Sequence, residues 1–429
     1  MRKVVVIGAG HNGLVAAYNL RRRGFCVSVL EASNKIGGMA DTSEIFGVKV
    51  SRASYVLGVM PKPLVELFEI PVIEQDPYEV IVYEGKPIAL WKEKQRRRKE
   101  FEKAGIERYS EFEQTLLNFK EVLKKFTFVT KPPSREEVLE EAKKVDAEDF
   151  LLKSCEALLS RYLPKELHYS FYYPGMNNSS AYLVAYFFAE WQVVKGGMGA
   201  VAQSVFKKAL EIGVEVRLNT KVERILISKD RVLGVEADGK KFEADIVLST
   251  ASPVATASLL CHAPNFRFEA GKSNWRKHNV ILKSYPKPPD VIKGYLNSLI
   301  DLESMGAGEI VFPSLCDDTL GGKVLNVMGE LEPLFELFPD LKDCIKVVDT
   351  LTPKLAEKLY NLPGGNVNHL PMKEPYLFDE RPKKGMGYRT PIKGLYMGGA
   401  GTYPGGQVSG VPGYNASNAV IEDFEQGEL

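Results

Sequence analysis

Four aliphatic residues running straight into three spaced glycines constrain this chain more than any other feature: Val4-Val5-Val6-Ile7, then Gly8-Ala9-Gly10-His11-Asn12-Gly13. The run of β-formers predicts a short central strand of a parallel sheet. Leu14 to Arg23 predicts a helix with basic residues in its last turn and Gly24 as its stop. Phe25 to Leu30 predicts the returning strand, ending at Glu31. In a βαβ unit of this kind the first glycine allows the tight turn and the second lets a pyrophosphate approach the backbone. The third lets helix and strand pack closely, while the helix N-terminus faces the phosphates. Glu31 stands 18 residues after Gly13, where a carboxylate at a strand end accepts hydrogen bonds from ribose hydroxyls. The unit therefore predicts dinucleotide binding, since a glycine loop that served packing alone would not require Glu31.

The rest of the chain is 429 residues of ordinary globular composition, 45% hydrophobic and 26% charged, enough for two or three domains. With 56 Lys+Arg against 55 Asp+Glu it has no electrostatic case for nucleic acid. Cys26, Cys155, Cys261, Cys316 and Cys344 are scattered without a CxxC pair, so neither a disulfide framework, nor a metal site, nor a dithiol centre is expected. Only Arg2 and Lys3 precede the first apolar run and no 18 consecutive residues are apolar; a reduced, cytoplasmic protein is expected. Ala181 to Ala189 reads as a buried element, with a shallow, peripheral membrane contact as the alternative. Arg96-Arg97-Arg98-Lys99, interspersed with Glu93, Glu100 and Glu102, reads as a solvated helix face rather than an anion-binding surface.

A second α/β stretch begins near Gly196. An amphipathic helix is predicted over Ala200 to Ile212, followed by short runs at 214–216, 222–227, 232–236 and 245–249 whose middle members form a meander. The last segment reads strand (Leu395 to Met397), glycine-rich loop (Gly398 to Gly413), then helix. The α/β character is thus split over three pieces. The expected fold class is α/β: a Rossmann-like dinucleotide-binding domain assembled from 1–61, 195–258 and 390–429. An α+β substrate or cap domain is expected from the insertions 62–194 and 259–389.

Glu31-Ala32-Ser33-Asn34-Lys35-Ile36-Gly37-Gly38-Met39-Ala40-Asp41-Thr42 resembles an extended flavoprotein signature in which a Gly-Gly pair follows the ribose acid. With Gly10 to Ala17, Ser51 to Tyr55, Gly196 to Ala200, Gly399 to Gly406 and Gly410 to Ala416, the chain resembles the phytoene-desaturase-like flavoproteins of the amine-oxidase and phytoene-desaturase superfamily. It is especially similar to the branch called pyridine nucleotide-disulphide oxidoreductase domain-containing protein, although no close cysteine pair is present to form a redox disulfide. The resemblance implies FAD, held by Gly8, Gly10, His11, Asn12, Gly13, Glu31, Ala32, Lys35, Gly37, Gly38, Met39 and Ala40. It further implies Val222 at the adenine, and Ala400, Gly401, Gly410 and Val411 beside the flavin. Two departures stand out: Met39 and Tyr403 occupy positions where relatives often carry Arg and His. Arg52 is a candidate substitute for the missing phosphate partner.

Hydride transfer from a substrate C–H to flavin N5 is the implied reaction class. The acid-base group is not identified by the sequence; His369, Tyr403, Tyr414 and Lys195 are the candidates, each with an ordinary packing or surface explanation. His168 to Pro174 and the following apolar run read equally as a lining for an apolar substrate and as aromatic core. Three functions are expected in turn: oxidation of an apolar, isoprenoid or carotenoid-like substrate; oxidation of an amine or other small molecule; and non-catalytic lipid binding of the GDP-dissociation-inhibitor type. The electron acceptor, oxygen, quinone or NAD(P), is left open.

Overall fold

The computed structural model describes residues 2–260 and 266–429; Cys261 lies outside the described residues. A five-stranded sheet has the order Leu395–Met397, Ile246–Ser249, Lys3–Ile7, Cys26–Leu30, Glu215–Arg217, and every neighbouring pair is parallel. Val4, Val6, Val29 and Leu248 are buried with the helix residues Leu14, Val15, Ala17 and Leu20, and Val5, Ile7, Leu30 and Val247 are buried in a separate cluster on the other face, the two-sided burial that a near-continuous aliphatic strand requires. The first helix, His11–Arg22, starts three residues earlier than its apolar pattern predicts. His11, Asn12 and Gly13 form its first turn, because Gly13 lies against the Gly8 carbonyl, where a Cβ would stand 2.0 Å from the oxygen. The predicted meander is a three-stranded antiparallel sheet of Val222–Ser228, Arg231–Ala237 and Lys240–Glu243.

The long mixed stretches build a second sheet, seven-stranded, in the order Ile345–Leu351, Lys277–Leu282, Lys323–Met328, Gly308–Val311, Leu299–Leu302, Glu79–Tyr83, Lys86–Leu90. One face is aliphatic: Val82, Val280, Ile300, Ile310, Leu325 and Val327 form a core of their own. Because side chains alternate along a strand, the residues between these point the other way. They include Glu79, Asp301, Glu309, Asn326, Lys277 and Asn279. The registers Asp301↔Glu309 and Asn279↔Asn326 place these polar groups side by side.

Two expectations about charge and burial resolve here. The basic run is not a solvated face throughout. Arg97 is buried and donates to Glu113 at 2.5 Å, and Arg98 reaches the other Glu113 oxygen at 2.7 Å, since a carboxylate enclosed on the helix Tyr109–Lys124 requires cationic partners. Within Ala181 to Ala189, Tyr182, Leu183, Val184, Ala185 and Phe187 are buried on a short helix, Tyr182–Phe187. No helix among the described residues is long and apolar enough to cross a membrane.

Candidate active site

The polar face of the seven-stranded sheet and the glycine turn of the parallel sheet enclose one cavity of about 1130 Å3. On one side stand Gly8, Gly10, His11, Asn12, Glu31, Ala32, Lys35, Gly37, Gly38, Met39 and Thr250; on the other, Tyr55, Tyr173, Trp275, Lys277, Glu303 and Glu309. Asn368, His369, Ala400, Gln407 and Val408 also border it.

The floor is built from close backbone approaches. Glu31 accepts from the Ala9 amide at 2.7 Å and the Ser33 amide at 2.8 Å, which holds its carboxylate at the strand end beside the turn. Gly37 N donates to Ala9 O at 2.9 Å, and Gly37 pairs with Gly10 as an isolated bridge, so the two glycine signatures lie against each other. Gly10 caps the first helix without a side-chain bond. Its first-turn amides have no partner within the helix, and a Cβ on Gly10 would meet nothing nearer than 3.9 Å. The C-terminal helix, Val411–Glu425, begins before Gly413 rather than after it. There a Cβ on Gly413 would lie 2.0 Å from Asn12 O, so the N-termini of both helices converge on one place.

Six of the residues expected at the cofactor do not border the cavity. Gly13 serves helix packing, and Gly401 packs on Pro253, 2.2 Å from where its Cβ would be. Gly410 takes a left-handed φ of +72° against Val15. Ala40 and Val411 are buried, and Val222 is buried among Val5, Ile7 and Leu30, leaving its neighbour Lys221 at the cavity. Lys35 borders the cavity, yet its ammonium is held by Asp41 at 2.6 Å. Arg52 is not a free phosphate partner: it forms a two-pronged pair with Asp349 at 3.0 and 3.1 Å. Among the acid-base candidates, Lys195 is exposed and away from the cavity. Tyr403 is buried behind the wall, where its carbonyl accepts from Tyr388, and Tyr414 packs edge-on against Phe128. His369 alone of the four borders the cavity.

Burial holds the His369 imidazole down to about 3, helped by the nearby Arg381 charge, and holds His11 down to about 4. Both rings are neutral from about pH 5 upward. Nuclear magnetic resonance on histidine-labelled protein is expected to show neither ring titrating between about pH 5 and 9; a midpoint near 6.5 for His369 would refute this. Four buried atoms at this wall have no hydrogen-bond partner: His11 Nε2, Asn12 Oδ1, Asn368 Oδ1 and His369 Nδ1. Enclosed polar atoms of this kind are matched by a ligand or water.

The opposite wall carries the groups that sequence reasoning missed. Burial pushes the Glu309 carboxyl up to about 8 and Glu303 up to about 7, each reinforced by Asp301. Tyr55 donates to Glu309, and burial raises its phenol well above the ordinary range. Lys277 is enclosed, donating to Ser51 O and to the Asn279 and Asn326 side chains. The signal for this wall was present in the sequence. Asp301 and Glu309 interrupt otherwise aliphatic strand runs (LIDL and GEIVF), and a charge inside such a run marks a polar sheet face.

Compared with known proteins, residues 13–289 match the family model described as flavin containing amine oxidoreductase. The chain is 27% identical to pyridine nucleotide-disulfide oxidoreductase domain-containing protein 2 of Mus musculus, over 98% of this chain and 93% of that protein. It is 28% identical to 4,4'-diapolycopene oxygenase of Methylomonas sp., over 67% of this chain and 64% of that one. Cyclohexylamine oxidase from Brevibacterium oxydans IH-35A shares its fold, with a TM-score of 0.64 at 16% identity over 99% of both chains. The match runs from the first helix through the meander and into the second sheet, well over half of the sequence, and the chain therefore belongs to the flavin containing amine oxidoreductase family, as an oxidoreductase whose cofactor is FAD.

Proposed function

We propose that the chain oxidises an amine at the carbon bearing its nitrogen, with FAD lying along the floor of the cavity and the substrate under the polar sheet face. The adenosine ribose lies at Glu31 and the pyrophosphate at Gly8, Gly10 and the uncapped first turn of His11–Arg22. The ring system lies toward His369, Ala400 and Gln407. The unpartnered atoms of His11, Asn12, Asn368 and His369 fit a polar group of this kind. In this reading the parallel sheet, drawn from 1–61, 195–258 and 390–429, is the FAD domain, and the remaining segments form the cap.

The observation that carries the substrate class is the pair Glu303 and Glu309, which face the cavity with no ion-pair partner among the described residues. Two enclosed carboxyls without a cation are poorly solvated, and a substrate ammonium supplies the missing charge. Ionised Glu309 takes a proton from the bound ammonium, and Tyr55 fixes its orientation. FAD held at this floor would supply the hydride acceptor for the adjacent C–H, with oxygen, a quinone or NAD(P) as the final two-electron acceptor. A C=N bond then forms on the substrate, and its positive charge again faces the two carboxyls.

A second reading, oxidation or desaturation of an isoprenoid, is favoured by the likeness to the Methylomonas oxygenase and by Tyr173, Pro174, Met176, Trp275 and Met328 at the cavity. Anaerobic titration of FAD-loaded protein separates the two. Bleaching of the visible flavin bands by primary amines supports the first reading. Bleaching only by carotenoid-like lipids replaces it with the second. A protein that is colourless and takes up no added FAD overturns both.

A further inference from the structure

Arg381 is fully buried, with 0% of its surface exposed, and among the described residues no carboxylate contacts it. Its guanidinium is held by backbone carbonyls alone: Nη1 donates to Pro371 O at 3.0 Å and Tyr376 O at 3.1 Å. Nη2 donates to Asn368 O at 2.6 Å, Leu370 O at 3.4 Å and Ala400 O at 2.8 Å. The remaining donor, Nε, is enclosed and unpartnered. Three of the residues whose carbonyls accept from it, Asn368, Pro371 and Ala400, border the cavity, so the charge sits one residue layer behind the wall.

The surrounding loops are shaped to this group. Gly405, at φ +135°, brings its backbone against Arg381 and Met372; a Cβ there would stand 3.6 Å from Nε and 2.7 Å from Met372 Sδ. Gly406 leaves no room for a Cβ beside Asn368, 1.8 Å from its Oδ1. The Pro404-Gly405-Gly406 turn thus closes over a cation. Carbonyl dipoles satisfy its hydrogen bonds, but they do not cancel its charge. A guanidinium remains protonated even here, and at low local dielectric its field reaches across the wall. The depressed proton affinity of neighbouring His369 is already one sign of that field.

We propose that Arg381 is an electrostatic positioning residue for the flavin: an uncompensated buried cation that joins the His369 loop to the Ala400 turn and stabilises the negative charge the ring system gains on reduction. This rests on the placement of the ring end at His369, Ala400 and Gln407. Neutral histidines supply hydrogen-bonding atoms without charge, so Arg381 adds a buried full positive charge behind this end of the cavity, beside the partial charge of the Val411–Glu425 helix terminus.

Sulfite is the probe, because it adds at flavin N5 and the anionic adduct reports positive charge near the ring. FAD-loaded wild type, Arg381→Lys and Arg381→Met are titrated with sulfite and followed at the visible flavin bands. Expected is an adduct in the wild type, a dissociation constant within about threefold of it for Arg381→Lys, and one weakened about tenfold or more for Arg381→Met. A residue that only ties loops together would weaken both variants alike, because Lys cannot hold five carbonyls; that result overturns the proposal, as does a wild type that forms no adduct. If the Met variant does not fold, the Lys variant decides alone: a retained adduct supports the charge role, and a tenfold loss overturns it. A wild type that takes up no FAD defeats the placement itself, whereas FAD uptake with unchanged sulfite affinity in Arg381→Met defeats only the role of Arg381.

Discussion

Gly13→Ala is expected to yield protein without flavin. The added methyl would stand 2.0 Å from the Gly8 carbonyl oxygen and 2.9 Å from Thr250 Oγ1. Neither obstacle is a flexible side-chain end. Gly8 is backbone at φ +99°, and Thr250 is tied to Ile7 O at 2.9 Å. The turn and the first helix must separate, at a cost of about 3 kcal/mol or more, and the helix N-terminus moves off the proposed phosphate position. Gly10→Ala is the instructive contrast. Its φ of −68° suits alanine, and a methyl there has 3.9 Å of clearance within the protein. That variant is expected to keep the thermal midpoint of the apoprotein and lose about tenfold in FAD affinity, because the methyl occupies the space a pyrophosphate would approach. Visible absorbance per mole of protein, with thermal melts of the apo forms, tests both; wild-type flavin content in Gly13→Ala would refute the packing argument.

Glu309→Gln is expected to stabilise the ligand-free protein at high pH while weakening amine oxidation about a hundredfold in kcat/KM. Burial raises the folded carboxyl to about 8, above the ordinary range of an unfolded glutamic acid. The folded state therefore binds the proton more tightly than the unfolded state. The resulting linkage makes stability fall as pH rises from about 4.5 toward 8, where the full penalty is reached. Glutamine removes that slope and still accepts from Tyr55. It does not ionise, so it neither takes the ammonium proton nor faces the positive charge that forms on the substrate, a loss within the usual range for an acid-base group. Thermal midpoints against pH for both proteins, beside steady-state rates with a primary amine, check the two halves. A Glu309→Gln enzyme with unaltered rates would remove the amine reading.

The two effects come from different levels of the molecule, and so did their legibility. The glycine turn, Glu31 and the Gly-Gly pair were readable because each answers to a local demand: a tight turn, a strand end, a left-handed φ. The second sheet was not. Its strands lie at 79–90 and 277–351, and nothing within a strand such as Leu299–Leu302 announces that Asp301 will stand opposite Glu309. Two of the candidate acid-base residues lie away from the cavity for the same reason. Lys195 and Tyr403 are near matched segments in sequence, but exposure of the one and burial of the other were decided by elements far away along the chain.

What the sequence determined by itself is the glycine turn, the α/β class and the resemblance that names the cofactor, since these rest on residues within one βαβ unit or on short contiguous motifs. Only the tertiary structure decided which face of the second sheet carries the acidic pair, that Arg52 is spent on Asp349, and that Arg381 is sealed behind the cavity wall without a counterion among the described residues. Those facts depend on long-range register and on burial, and an isolated stretch of sequence carries neither.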